Sequence, residues 1–153
     1  MLILTAEILA QIQADGVASY PYEGCGLLLG EMVGEENVVK GILSVPNRWP
    51  VEEEKRERFL IVPEDMLAAE FKAMEAGWDI IGVYHSHPDC APVASPRDVE
   101  WAAWVGYSYL ITEVGEGVAK ASRSWQLLPS RDGFVEEEVV VRGVEEVAGE
   151  LRK

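Results

Sequence analysis

Two histidines near the middle of the chain have a spacing that can bind a metal ion. They stand in the segment His85-Ser86-His87-Pro88, and the 153 residues contain 2 histidines in all. The preceding residues, Asp79 to His85, are mostly apolar and predict a buried strand. Because alternate side chains of a strand point to the same side, the two imidazoles would project together. Pro88 cannot continue a hydrogen-bond ladder, so the strand would present both rings at its end.

A carboxylate further along the chain can complete this group. Asp98 falls in the first turn of a helix predicted from Pro96 to Val105, and the intervening loop is long enough to fold back. Two histidines and one carboxylate leave a fourth tetrahedral position open for water, which is typical of a catalytic rather than a structural zinc site. The sequence therefore predicts one Zn²⁺ per chain, bound by His85, His87 and Asp98.

Ser95 and Asp98 also fit a purely structural interpretation. A serine at the N-cap followed three residues later by an acid is a variant of the capping box. Asp98 is not expected to serve the cap and a metal fully at the same time. We favour the metal role, because the two histidines otherwise lack a third ligand.

Hydrolysis at such a site would need a proton carrier and a hydrogen-bond donor for an oxyanion. Glu23 is the best candidate for general base and acid, since it precedes an apolar strand and is followed by Gly24. Ser95 could donate to the oxyanion of a tetrahedral intermediate. The alternative for Glu23 is a solvated loop carboxylate, one of 27 acidic residues.

The two cysteines allow a further, less favoured interpretation. A thiol protease would pair Cys25 with His85, but a histidine in a His-x-His-Pro segment is better used as a metal ligand. We expect Cys25 to be a buried strand residue and Cys90 an ordinary loop thiol.

The elements that would position these residues alternate between helices and strands. A mixed sheet flanked by helices, of the α/β or α+β class, is therefore expected, as a single domain over residues 1–153. Gly16 is expected to end the first helix, and Leu67, Phe71 and Met74 form an apolar stripe on the second. The predicted helices are Thr5–Ala14, Pro63–Gly77, Pro96–Val105 and Val144–Lys153, and the predicted strands are Cys25–Val33, Asn37–Val45, Phe59–Val62, Asp79–His85, Tyr107–Val114, Val118–Leu128 and Phe134–Arg142.

Charge and composition exclude several classes of function. The net charge of −14 makes binding to nucleic acid or an anionic membrane unfavourable and suits a basic protein partner. With 2 cysteines the chain is no disulfide scaffold. No apolar run approaches the ~20 residues of a membrane span, and the N-terminus lacks the basic segment of a signal peptide. A cytoplasmic location is expected.

The combined pattern Glu…His-x-His-Pro-x7-Ser-x2-Asp resembles the JAMM (MPN-plus) zinc peptidases. The likeness extends to the segments around Pro21–Gly30, Asn47, Phe59–Glu64 and Gly82–His87, and covers most of the chain to about Thr112. By this resemblance His85, His87 and Asp98 would bind zinc, Glu23 would be the general base and acid, and Ser95 would stabilise the oxyanion. The implied fold is similar to that of the cytidine deaminases.

The resemblance also implies a class of substrate. Family members hydrolyse amide or isopeptide bonds, often after the C-terminal Gly-Gly of a ubiquitin-like protein, and this chain is similar to the small prokaryotic branch that acts on ubiquitin-like sulfur carriers. The charged segment Trp49–Arg58 is a candidate flap over the substrate. A non-catalytic scaffold of the same fold is the main alternative. A nucleotide deaminase is disfavoured, because the chain has no Cys-x-x-Cys pair.

Overall fold

The computed structural model describes residues 1–96, 98 and 104–143, and its main element is a sheet. Within the described residues, two longer α-helices and a short 3-10 helix accompany this sheet, which confirms the predicted mixed sheet flanked by helices. The elements in chain order are β1 (Leu2–Thr5), α1 (Ala6–Ser19), β2 (Cys25–Val33), β3 (Glu36–Val45), the 3-10 helix (Glu52–Arg56), α2 (Pro63–Ala76), β4 (Asp79–Pro88), β5 (Ser108–Gly115), β6 (Val118–Leu127), β7 (Phe134–Glu137) and β8 (Val139–Arg142). The order of neighbouring strands in the sheet is β7-β6-β5-β4-β2-β3-β1-β8.

Strand β4 lies in the middle of the sheet and has neighbours of both orientations. It is antiparallel to β2 and parallel to β5, with Cys25 opposite His85 and Ile111 beside it on the other side. The predicted hairpin is confirmed as β2 and β3, which pair in antiparallel fashion. The end of β4 therefore lies inside the sheet, next to the beginning of β2.

The two edge strands of the sheet, β7 and β8, differ from the sequence prediction. A strand from Phe134 to Arg142 was expected, but the structure divides it into β7, which pairs with β6, and β8, which pairs with β1. Strand β1 was not predicted, since its 4 residues are too short to show a period. It runs parallel to both β3 and β8.

The sheet buries a different apolar cluster on each face. On one face the buried residues include Ile12 of α1 and Leu28, Tyr84 and Leu110 of the strands. On the other face Ala69 and Ala73 of α2 pack with a set that includes Leu27 and Val83. Neighbouring residues of β4 thus enter opposite clusters, as the alternation of a strand requires.

Helix α1 begins where the sequence predicts and ends later. Thr5 is the N-cap, and its hydroxyl accepts a hydrogen bond from the amide of Ile8 at 3.1 Å. The prediction that Gly16 ends the helix is wrong, because the helix continues to Ser19. A β-carbon on Gly16 would lie 3.1 Å from Val114 and 3.2 Å from Ser86, so this glycine lets the helix pack closely on the sheet.

Helix α2 has the predicted ends but not the predicted face. Pro63 occupies its first turn, and Gly77 ends it in the left-handed conformation with φ 75°. The apolar stripe of Leu67, Phe71 and Met74 does not face the sheet, since these side chains are 50%, 55% and 70% exposed. The buried positions are instead Ala69 and Ala73, because small side chains allow the helix to lie close to β2 and β4.

Three other predicted segments have different outcomes. The strand predicted at Phe59–Val62 is wrong, because these residues join no ladder. In the predicted helix Pro96–Val105 the structure describes Pro96 and Asp98, both helical, and the irregular residues 104 and 105; the rest lies outside the described residues. The predicted helix Val144–Lys153 also lies outside them. No helix of the described part has the length and apolarity needed to cross a membrane.

Candidate metal centre and active site

Strand β4 brings its two imidazoles to one point at the end of the strand. The Nε2 atoms of His85 and His87 lie 3.1 Å apart, and both side chains are buried. Because the residues are two apart in a strand, both rings are on the face that carries α2, as the sequence predicts. Pro88 is the last residue of the strand.

Asp98 meets the two histidines and caps its own helix at the same time. Its Oδ1 is 3.1 Å from Nε2 of His85, and its Oδ2 is 3.4 Å from Nε2 of His87. Oδ2 also accepts a hydrogen bond from the amide of Ser95 at 2.7 Å, while Ser95 Oγ accepts from the amide of Asp98 at 3.2 Å. The capping box is thus present, while Oδ1 faces His85; whether Asp98 can serve the cap and a metal fully at the same time stays a prediction.

Each imidazole is fixed by a different neighbour. The Nδ1 of His87 lies 2.9 Å from the carbonyl oxygen of Ala91, to which it donates when it carries the proton. That tautomer leaves the lone pair of Nε2 directed at Asp98 and His85, as in metal sites where a carbonyl orients the ligand. The ring of His85 instead stacks on Phe59, with centroids 4.5 Å apart and 25° between the planes.

The electrostatics of this group favour a charged carboxylate beside a neutral His85. Burial lowers the pKa of His85, against the opposing effect of Asp98. Burial also opposes the charge of Asp98, but the charge and hydrogen bonds of the histidines and the Ser95 amide hold the pKa of this carboxyl well below its usual range. For His87 burial is outweighed by hydrogen bonds to Asp98 and Ala91, which raise its pKa. A metal cation binds an anionic carboxylate and neutral imidazoles, so it would have to displace the proton that the raised pKa of His87 favours.

The pairing of β2 with β4 places Glu23 beside the histidines. Cys25 is opposite His85, so the residues before β2 lie next to the end of β4. Ser86 fixes this approach: its amide donates to the carbonyl of Gly24 at 3.0 Å, and its hydroxyl accepts from the Gly24 amide at 2.8 Å. Glu23 is 4% exposed, and its Oε1 lies 4.0 Å from Nε2 of His85.

Two cavities flank the histidine pair. The larger, about 400 Å³, is lined by Glu23, His87 and Ser95 together with loop residues that include Cys90. The smaller, about 170 Å³, is more apolar, and its lining includes Phe59, His85 and Asp98. Glu23, Ser95 and one of the three predicted ligands, His87, thus line one cavity, while His85 and Asp98 line the other.

The donor set fits a divalent metal ion such as zinc. One nitrogen from each histidine and one oxygen of Asp98 lie within 4.8 Å of one another, and the group is buried or half-buried. Two imidazole nitrogens and a carboxylate oxygen are ligands that Zn²⁺ accepts, and three protein ligands are typical of catalytic sites. His85, His87 and Asp98 are therefore the residues that could hold the ion.

Neither cysteine belongs to this group of ligands. Cys25 is fully buried, as predicted, and its burial raises the pKa of the thiol to about 12. A thiol with that pKa is a poor nucleophile at neutral pH, which argues against the Cys25–His85 protease. Cys90 is exposed in the loop that follows β4.

Sequence reasoning missed two residues that support the centre. Ser86, between the two histidines, faces the opposite side of β4 and bonds to Gly24. Its signal is a small polar residue inside an apolar strand, which needs a hydrogen-bond partner when buried. Phe59 was assigned to a strand and instead covers His85.

A mixed sheet between helices with a His-His-Asp group at the end of a central strand defines a JAB/MPN-type domain. The chain belongs to the family described as prokaryotic homologs of the JAB domain, whose model matches residues 5–128. This range includes all five predicted site residues, namely Glu23, His85, His87, Ser95 and Asp98.

Individual relatives carry names that describe related activities. The chain is 36% identical over 104 residues to a desampylase of Haloferax volcanii, which covers 68% of this chain and 71% of the relative. It is 31% identical over 128 residues to a desampylase of Pyrococcus furiosus, covering 82% and 80%. A probable TtuB-protein conjugate cleaving protease of Thermus thermophilus is 30% identical over 105 residues, covering 68% and 65%.

A solved structure supports the fold over nearly the whole chain. The solution structure of a protein from Desulfitobacterium hafniense superposes with a TM-score of 0.80 at 27% identity and covers 94% of both chains. The likeness in fold therefore extends beyond the residues that the family model matches.

Proposed function

We propose that this protein is a zinc-dependent peptidase or isopeptidase that cleaves the amide bond after the C-terminal Gly-Gly of a ubiquitin-like or sulfur-carrier protein. The observation that carries the proposal is the convergence of two imidazole nitrogens and one carboxylate within 4.8 Å, beside a buried glutamate. The names of the desampylases and of the TtuB-conjugate protease support the class of substrate.

Each residue of the site has its own role in the proposed reaction. A bound zinc ion would supply a water of pKa near 7 and polarise the scissile carbonyl. His85, His87 and Asp98 hold the ion. Glu23 accepts the proton of the attacking water and delivers it to the leaving nitrogen, which general acid–base catalysis requires.

The position of Ser95 supports a role as oxyanion donor. Its Oγ accepts the amide hydrogen of Asp98, and it lines the same cavity as Glu23 and His87. A hydroxyl that accepts one hydrogen bond can still donate its own hydrogen. A hydroxyl aimed at the oxygen of a tetrahedral intermediate stabilises the charge that develops there.

The test compares two glutamates of the same region of the chain. Zinc-loaded enzyme is incubated with a ubiquitin-like carrier extended past Gly-Gly, and products are read by mass spectrometry. We expect Glu23→Gln to lose about 10²- to 10⁴-fold in rate while it keeps one zinc, because only the proton carrier is removed. The control Glu31→Gln, whose side chain makes a surface ion pair with Lys40 at the far end of β2, should keep the parental rate.

Two results would contradict the proposal. Hydrolysis by Glu23→Gln at the parental rate would remove the assigned base. A purified chain with no affinity for zinc would favour the non-catalytic scaffold instead.

A further inference from the structure

We propose that Asn47 is a positioning residue, which holds the backbone of Glu23 and the segment around Phe59 in register with the metal centre. The inference rests on the proposed function, because it assigns Asn47 a part in the same site. It concerns a residue that lies just past the end of β3 and contributes no atom to the ligand group.

The side-chain amide of Asn47 uses all of its hydrogen-bonding capacity. Its Nδ2 donates to the carbonyl of Glu23 at 3.0 Å and to the carbonyl of Arg58 at 2.9 Å. Its Oδ1 accepts from the amides of Trp49 at 3.1 Å and Leu60 at 3.3 Å. An asparagine offers two donors and two acceptor lone pairs, so four backbone groups from three segments meet on one side chain.

We call the four hydrogen bonds of the Asn47 side chain the clamp. Its bond to Glu23 holds the backbone of the proposed general base. The carbonyl of Glu23 accepts from Asn47, and the amide of Glu23 donates to the carbonyl of Lys55 at 2.7 Å. The next residue, Gly24, is held on β4 by Ser86. The Glu23 backbone is therefore held between β4 and the 3-10 helix, and Asn47 is the side chain that closes this arrangement.

The bonds of the clamp to Arg58 and Leu60 position Phe59, the residue whose ring packs on His85. Arg58 and Leu60, which bond to Asn47, immediately flank Phe59, whose ring stacks on His85. Residues 59 to 62 join no strand ladder. Besides Asn47, they are held by the Arg48 amide, which donates to the Leu60 carbonyl at 3.1 Å, by the Val62 carbonyl at the start of α2, and by packing of Phe59 and Ile61 on the apolar core. Asn47 therefore links the proton carrier to the ring that packs on a metal-facing imidazole.

The chemistry of the clamp requires an amide of this length. Aspartate could accept from Trp49 and Leu60 but would oppose the carbonyls of Glu23 and Arg58 with negative charge. Alanine removes all four bonds. The two substitutions thus separate the accepting half of the clamp from the donating half.

The test uses Asn47→Ala, Asn47→Asp and a matched control, Asn37→Ala. Asn37 is a buried asparagine near the start of β3, whose side chain donates to Gly106 and Ser108. We expect both Asn47 variants to lose at least about 10-fold in kcat per zinc-loaded molecule with KM within about threefold, because a misplaced proton carrier slows the chemical step without weakening substrate binding. The control should keep both constants even where its thermal stability falls.

A second measurement needs neither metal nor substrate. In metal-free protein, NMR should show faster exchange of the Leu60 amide hydrogen in Asn47→Ala and a change in the His85 ring signals that the stacked Phe59 ring shifts. Asn47→Asp, which keeps the acceptor, should retain the protection of Leu60. Asn37→Ala should leave both observables as in the parent.

The outcomes separate this inference from the proposed function. If the parent shows no hydrolysis, the proposed function fails, and the NMR measurement alone decides on Asn47. If the parent is active, kcat values of the Asn47 variants within twofold of the parent, or an equal loss in Asn37→Ala, would overturn the positioning role. Unchanged Leu60 exchange and His85 signals in Asn47→Ala would overturn it in either case.

Discussion

The two sides of strand β4 have different tasks although their residues alternate along one short segment. Tyr84 and Ser86 face α1 and make hydrogen bonds to Asp15 and Gly24, which join β4 to its surroundings. His85 and His87 face the other way and meet Asp98. The strand thus carries supporting hydrogen bonds on one side and the proposed metal ligands on the other.

This division has a physical reason. A histidine nitrogen whose lone pair is to bind a metal cannot also use that lone pair in a hydrogen bond that stabilises the fold. Hydrogen bonds on the opposite side of the strand can stabilise the fold without engaging the histidines, because the period of a strand separates the two sets of side chains. Substitutions on one side should therefore change metal affinity, and substitutions on the other should change stability.

The largest effect is expected for His87→Ala, on the side of β4 that carries the two histidines. Removal of one of the three proposed ligands should lower zinc affinity by more than about 100-fold, since loss of a supporting residue alone costs 10- to 100-fold. Metal-competition titration of the folded variant checks the affinity. Zinc affinity equal to the parent's would remove His87 from the ligand set.

Ser86→Ala should give the reverse pattern on the supporting side. The substitution leaves the buried amide of Gly24 without its hydroxyl partner, which should cost about 1–3 kcal/mol in the free energy of unfolding. Urea denaturation measures the loss. Because His85 and His87 stay on their own side, zinc affinity of the folded variant should remain within a few-fold of the parent's, and a loss as large as that of His87→Ala would contradict the division.

Tyr84→Phe should be a milder change on the same side. The phenol donates to Oδ2 of Asp15 at 2.7 Å, and Asp15 also accepts from Ser44, so the carboxylate keeps a partner in the variant. We expect a loss of about 1 kcal/mol in unfolding free energy, with unchanged zinc affinity. Urea denaturation and a zinc titration on the same preparation check both parts, and unchanged stability would mean that this bond does not support β4.

The smallest effect is expected away from β4, for Phe71→Ser on α2. The Phe71 side chain is 55% exposed and lies on the outward stripe, so its replacement should change the unfolding free energy by less than about 0.5 kcal/mol. The matched substitution Ala73→Ser, at a buried position of the same helix, should destabilise more. Equal losses in urea denaturation would show that the stripe is packed after all.

The sequence predicted most of the elements around the site because their signals are local. Alternating or continuous apolar runs mark β2, β3 and β4, and Pro63 and Gly77 mark the ends of α2. The grouping of two histidines with a distant carboxylate followed from the alternation of β4 and from the resemblance, which relates residues that no local pattern connects.

Other features depend on tertiary contacts and could not be predicted from local patterns. Strand β1 exists because it pairs with β3 and β8, which are distant in sequence. The buried side of α2 is chosen by the small Ala69 and Ala73 rather than by its larger apolar residues. The directions of the two Asp98 oxygens, one towards the Ser95 amide and the other towards His85, are set by the fold of the loop and are not visible in the sequence.

Gly26 restricts the register in which β2 and β4 can pair. It lies opposite Tyr84 in the β2–β4 pairing, and a β-carbon at this position would collide with the tyrosine ring. A shift of one residue would turn every side chain of β4 over, sending both imidazoles into the layer beneath α1. In the observed register the ring of Tyr84 fills the space that Gly26 leaves, so this pair favours the alignment that keeps both imidazoles on the side of α2.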